Sequence, residues 1–110
     1  MARDELLGQF EIHLLLAVVH LGDEAFGVPI RQLLEERTRR SVAMGAVYAT
    51  LGRLSDKGLV RFRWSEPQPV PGGKARKFFT LTPAGERALR TATSMLARLQ
   101  DGLPNFGGRR

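Results

Sequence analysis

The chain is 110 residues long, enough for one domain with a modest core and little for a second. It contains no cysteine, which excludes a disulfide framework and a thiolate metal site and fits a reducing cytoplasm. The net charge is +6, with eleven basic against four acidic side chains in residues 31–77 and one against five in residues 1–30. Such a central basic stretch is the electrostatic footprint expected for a polyanionic partner.

The N-terminus carries no basic-then-apolar signal segment. The apolar run from Ile12 to Leu21 is about half the length that a membrane span needs, so the expected location is cytoplasmic. Leu6 to Leu21 reads as a first helix, apolar on nearly every side. A helix of that kind is buried on more than one face, here by its own domain and by a partner subunit. Gly22-Asp23 ends it. Phe26-Gly27 precedes a second helix with Pro29 in its first turn. Ile30, Leu33 and Leu34 form its inward stripe, and Arg31, Glu35, Arg37 and Arg39 are expected to face out. Thr38 to Val42 is a polar connection.

A third helix runs from Gly45 to Lys57, with Val47, Leu51 and Leu54 on one face at i, i+4 and i+7. Gly58 sits where a left-handed stop belongs. From Leu59 to Glu66, Val60, Phe62 and Trp64 alternate with Arg61, Arg63 and Ser65, the period of a strand. Phe62 and Trp64 are expected in the core beneath a wing. Pro67 to Lys74 holds three prolines and two glycines and reads as the wing tip. Ala75 to Leu81 is the returning strand. Thr82 and Pro83 open a last helix as N-cap and first helical residue. This helix carries Leu89, Ala92, Met95, Leu96 and Leu99 along one seam. Pro104 to Arg110 reads as a flexible tail.

The predicted fold is mainly α with a two-stranded β-wing: a winged helix-turn-helix in residues 1–82, a C-terminal dimerisation helix in 83–103, and a tail in 104–110. No catalytic constellation is visible, so no enzyme, cofactor or metal is expected. Gly72-Gly73-Lys74 lacks the leading glycine and the following Ser or Thr of a phosphate loop and reads as a wing turn. His13 and His20 lie seven apart on the first helix. With no cysteine or acidic cluster beside them, they read as packed or interfacial rather than as metal ligands.

Opposite its apolar stripe, the third helix presents Gly45, Ala49, Gly52, Arg53 and Asp56, flanked by Tyr48 and Lys57. This small-sided face can approach a groove closely, but few of its groups can hydrogen-bond base edges. Arg53 is the main candidate for a base or phosphate contact; the competing reading is an internal ion pair with Glu35, Glu36 or Asp56. In the wing, Arg61, Arg63, Lys74, Arg76 and Lys77 are candidate phosphate clamps. Such contacts position a protein without reading sequence.

In their joint order and spacing, Gly45, Val47-Tyr48, Leu51, Arg53-Leu54 and Gly58-Leu59-Val60 resemble the PadR family of bacterial transcriptional regulators, in its short form with one C-terminal helix. So do Arg76 to Gly85 and, upstream, Phe26-Gly27 and Ile30. The resemblance implies a homodimeric repressor of double-stranded DNA with an inverted-repeat operator, relieved by an effector at the subunit junction. It also implies that Tyr48 gives its hydroxyl to a phosphate. The subunit seam is expected at Phe10, Leu14, Leu89, Ala92, Met95, Leu96 and Leu99. Three features depart from the family pattern. Ala43 replaces a usual Ser or Thr cap, Phe78-Phe79 replaces Tyr-Tyr, and the last helix lacks the tryptophan of some drug-binding relatives. The alternative is a winged helix used as a protein-interaction or architectural module, without specific operator binding.

Overall fold

A computed structural model describes residues 6–104. The elements are α1 (Gln9–Leu21), a 3-10 turn (Gly22–Glu24), α2 (Gly27–Thr38), α3 (Met44–Asp56), β1 (Val60–Trp64), β2 (Lys77–Leu81) and α4 (Pro83–Gln100). This is a winged helix-turn-helix with one additional C-terminal helix, as the sequence predicts. The expected tail lies, beyond Pro104, outside the described residues.

The first helix starts at Gln9 rather than Leu6 because Gly8 is extended and its N–H donates to Glu11 Oε1 at 2.9 Å. The glutamate thus reaches back over the first turn and satisfies a backbone donor there. Leu14, Leu15 and Val18 of α1 meet Ile30 and Leu34 of α2 and Val47, Leu51 and Leu54 of α3 in the core. Val60, Phe79 and Leu89 complete it from the hairpin and α4.

This packing corrects part of the expected subunit seam. Leu14 has no exposed surface, Leu89 is buried, and Phe10 packs half-buried against the core. The 3.6-residue period turns Leu16 and Val19 outward instead, and both are exposed.

The α2–α3 connection is Arg39–Ala43. Arg39 closes α2 in a left-handed conformation (φ 61°) and donates its N–H to Glu35 O at 2.9 Å. Ala43 opens α3 with no side-chain hydrogen bond, as its methyl group dictates. Val42 N–H donates instead to Glu35 Oε2 at 2.8 Å, so Glu35 folds back onto the turn rather than facing out.

The two strands pair antiparallel, Val60 with Leu81 through Trp64 with Lys77. Ser65 and Arg76 extend the ladder, with Ser65 N–H to Arg76 O at 2.8 Å. Phe79 N–H donates to Ala25 O at 2.8 Å, which ties the base of the hairpin to the chain before α2. Residues paired across the ladder share a face. Val60, Phe62, Trp64, Lys77, Phe79 and Leu81 form one, and Arg61, Arg63, Phe78 and Thr80 the other. The helices cover only the base of the first face. Phe62 is therefore 43% exposed and Trp64 61%, against the expectation that both lie in the core.

Thr82 caps α4, accepting the Gly85 N–H at 3.0 Å while donating to Gly58 O at 2.6 Å. Gly85 lies against the carbonyl of Leu59, and a Cβ there would overlap that backbone oxygen. The apolar stripe of α4 begins buried at Leu89, is half-covered at Ala92 and Met95, and is exposed at Leu96 and Leu99. The stripe thus runs past the body of its own chain.

Substituting Gly85→Ala is expected to destabilise the fold by about 1–3 kcal/mol in urea denaturation, because rigid backbone must yield. Gly52→Ala, in mid-helix with nothing within 4 Å of the added methyl, is expected to stabilise by about 0.5–1 kcal/mol.

Candidate nucleic-acid interface

The exposed face of α3 consists of Gly45, Ala46, Tyr48, Ala49, Gly52, Arg53 and Asp56. Thr50 is turned inward and buried. Tyr48 lies over Gly27, where a Cβ would collide with its hydroxyl and ring, so the ring's present placement uses the glycine at the start of α2. Next to Gly27, Phe26 packs on Phe78 with ring centroids 5.2 Å apart. Arg76 lies over the Phe26 ring at 4.5 Å and Arg63 over the Phe78 ring at 4.8 Å. Tyr48, the start of α2 and the arginine face of the wing therefore form one continuous surface. An arginine stacked on a ring keeps its charge and loses freedom; such stacking contributes about 0.5–1 kcal/mol at exposed sites.

Of the predicted set, Tyr48, Arg63 and Arg76 lie along that surface, while Ala49 and Arg53 are exposed on α3. Arg61 shares the arginine face nearer its base, and Lys74 is exposed at the tip. Lys77 does not join them. It sits on the opposite face, its Nζ 3.9 Å from the Phe62 centroid and 5.6 Å from that of Trp64. Lys57 is held by Glu11 through an ion pair at 2.9 Å. Among the described residues Arg53 makes no ion pair with Glu35, Glu36 or Asp56; its Nη2 donates to Thr50 Oγ1 at 3.0 Å.

Sequence reasoning missed Glu11. Burial works to raise its pKa, but it is outweighed. Hydrogen bonds from the Lys57 ammonium and the Gly8 N–H, with the charges of Lys57 and Arg53, hold the carboxyl below its ordinary value. The available signal was a lone acid in the first turn of an apolar helix. Arg31 was also misread as outward: it lies one turn after Gly27 on the side of α2 that faces α3, and its Nε is buried with no hydrogen-bond partner among the described residues. His20 Nε2 accepts from Arg37 at 3.2 Å, which places the proton of a neutral ring on Nδ1. Among the described residues no group of three or more His, Asp or Glu could hold a metal ion. No described helix is long and apolar enough to cross a membrane.

Helix-turn-helix, wing and arginine-lined surface define a winged-helix protein of the transcription-factor kind. The chain belongs to the transcriptional regulator PadR-like family, which it matches over residues 15–91. It is similar in structure to a PadR-like transcription factor from bacteroid fragilis, with 30% identity, a TM-score of 0.70, and coverage of 86% of this chain and 85% of that one. A PadR family transcriptional regulator from Eggerthella lenta is 26% identical at a TM-score of 0.64, covering 81% of this chain and 75% of that one. One from Clostridium difficile is 25% identical at a TM-score of 0.60, covering 82% of this chain and 94% of that one. No curated protein matches the chain.

The Glu11 pKa is lowered on folding, so its contribution is present above the ordinary carboxylate pKa of about 4.3 and is lost as pH falls through the folded value. Urea denaturation at neutral pH is expected to show Glu11→Gln less stable than the wild type. The gap should close as the pH is taken below roughly 4.

Proposed function

We propose that the chain is a homodimeric repressor that binds an inverted-repeat operator in double-stranded DNA within the cytoplasm and is relieved by a small-molecule effector. In this reading α3 enters the major groove and the wing follows the phosphate backbone. The observation that carries the reading is the continuous surface from the small-sided face of α3 through Tyr48 to the stacked Arg63 and Arg76. Membership of a family of transcriptional regulators supports it. Glycine and alanine let the helix backbone approach the duplex closely. Arg53 is assigned a base or phosphate contact, Tyr48 a phosphate, and Lys74 a phosphate beyond the wing tip.

Two apolar surfaces left wholly or partly open support a dimer. On α4 these are Ala92, Met95, Leu96 and Leu99; on α1 they are Leu16 and Val19, outside the core-facing Leu14. Joining α4 of each subunit to α1 of the other hides both surfaces. Two-fold symmetry would then set the α3 helices one turn of DNA apart, about 34–36 Å. The exposed α3 carries few base-reading groups, so the competing use as a sequence-indifferent module is an outcome of the test.

Affinity for the chain's own upstream DNA is expected to exceed that for random duplex and to fall steeply with salt, by a slope of about −0.9 per phosphate contact. Arg63→Ala and Arg76→Ala should each reduce the slope by about one contact, whereas Lys77→Ala should leave it unchanged. Equal affinity for every duplex would support the module instead.

Sedimentation at micromolar concentration should show a dimer. Leu96→Asp, which places an unpaired charge in the seam, should dissociate it and abolish operator binding while helix content partly survives.

A further inference from the structure

Both faces of the hairpin are basic, but the second also presents open rings. Val60, Phe62 and Trp64 share it with Lys77, Phe79 and Leu81. Phe79 is buried and packs on Phe62 with ring centroids 6.1 Å apart. Its N–H is tied to Ala25 O, so this end of the face is fixed to the helices. Trp64 stands edge-on to Phe62, at 6.4 Å and 83°. The Lys77 ammonium lies 3.9 Å from the Phe62 centroid but 5.6 Å from that of Trp64. The lysine therefore screens Phe62 more closely, and the indole keeps most of its surface open.

An occupant of this face must meet two demands at once. An apolar surface would match the indole but bury the Lys77 ammonium without a counter-charge, which is costly. A small inorganic anion would answer the ammonium and leave the rings wet. A molecule that carries a flat π-face beside a negative charge meets both demands, and a nucleotide is built in that way. Neither strand holds an acid that would repel its phosphate; the first acid, Glu66, lies beyond the end of β1. A duplex keeps the faces of its bases within its own stack, whereas an unpaired strand presents them. The side chains of this face are apolar or donors, and none is an acceptor. The extra hydroxyl of a ribose would leave water here without an acceptor for its proton, which favours DNA over RNA.

We infer that the second face of the wing is a binding site for single-stranded DNA. A base stacks on Trp64, Phe62 forms the wall beside it, and Lys77 takes the phosphate. The site lies on the face of the hairpin away from Arg63 and Arg76. It stands whether or not that arginine face grips a duplex.

Trp64 is the one tryptophan of the chain, so its fluorescence reports on the site directly. The full chain is titrated with four probes: an oligodeoxyadenylate, an oligoriboadenylate and an abasic deoxyribose-phosphate oligomer, all of one length, and polyglutamate. The oligodeoxyadenylate is expected to quench Trp64 to saturation. The abasic oligomer should bind at least about tenfold more weakly, the loss of one stacked base. The oligoriboadenylate should bind more weakly than its deoxy counterpart, and polyglutamate should leave the emission unchanged. Lys77→Gln should lower the salt slope for the oligodeoxyadenylate by about 0.7, the share of one phosphate on a single strand. Trp64→Leu, read by the anisotropy of a dye-bearing oligodeoxyadenylate, should bind about tenfold or more weakly while its helix content persists. Arg63→Ala combined with Arg76→Ala should still be quenched. Absent quenching, equal binding of the abasic or the ribose oligomer, or an unchanged slope in Lys77→Gln would overturn the site. So would quenching by polyglutamate, which would mark an acidic peptide as the occupant. Loss of quenching in the double arginine variant would also overturn it, by returning the strand to the arginine face. A wild-type chain that binds no duplex would sink the duplex reading alone, because all four probes are read without duplex.

Discussion

One carboxylate sets the frame on which the domain is built. Glu11 accepts the Gly8 N–H at the start of α1 and the Lys57 ammonium just beyond the end of α3. It thereby joins the first turn of one helix to the last turn of another, across 46 residues of chain. A mostly buried acid would ordinarily cost stability, but here both oxygens are engaged and a cation neutralises the charge. The elements between these ends inherit the constraint. α3 cannot slide along α1 without breaking the pair, and the hairpin follows α3 through the short turn at Gly58, where φ is 76°. Lys57 is consequently part of the scaffold.

The wing illustrates a second use of charge. Its two faces bear cations held differently: Arg63 and Arg76 rest on Phe78 and Phe26, and Lys77 covers Phe62 and approaches Trp64. On the first face the rings beneath the arginines reach back to the start of α2, so wing and helix-turn-helix share one rigid edge. On the second face the aromatic pair is open to solvent and the lysine partly screens it. A long basic side chain that shelters apolar surface in this way also opposes adhesion to other sheet edges.

Much of the fold was legible because its signals are local. The i, i+4, i+7 stripe of Val47, Leu51 and Leu54, the Gly58 stop, the Thr82-Pro83 start and the alternation through Val60 each require only a few neighbouring residues. The bounds of α1 were less legible: an apolar run gives no sign that Gly8 will be extended, and only Glu11 three residues later marks the helix start. Which of two apolar faces would be buried was not legible either. Leu14 and Leu16 are the same residue type, and only the placement of α2 and α3 makes one of them core. The same holds for Phe62 and Trp64, whose alternation is that of a buried face although the helices stop short of them. In the candidate site, outward Arg53 and Tyr48 follow from helical period. The separation of Arg76 from its neighbour Lys77, and the burial of Arg31 Nε, depend on pairings between distant segments that no window of sequence contains.

If the proposed dimer forms, the apolar stripe of α4 makes the molecule's order a function of its amount. The first turns of that helix rest on the core at Leu89, but the turns carrying Leu96 and Leu99 have little of their own chain to lie on. A solvated helical end of that length is marginal in water. In the proposed dimer the second subunit supplies the missing floor, so ordering the end of α4 and finding a partner become one equilibrium governed by mass action. A cell holding few copies would then keep the helix end frayed and the two reading heads uncoupled. A rise in copy number would order both at once, giving the regulator a threshold set by its own abundance.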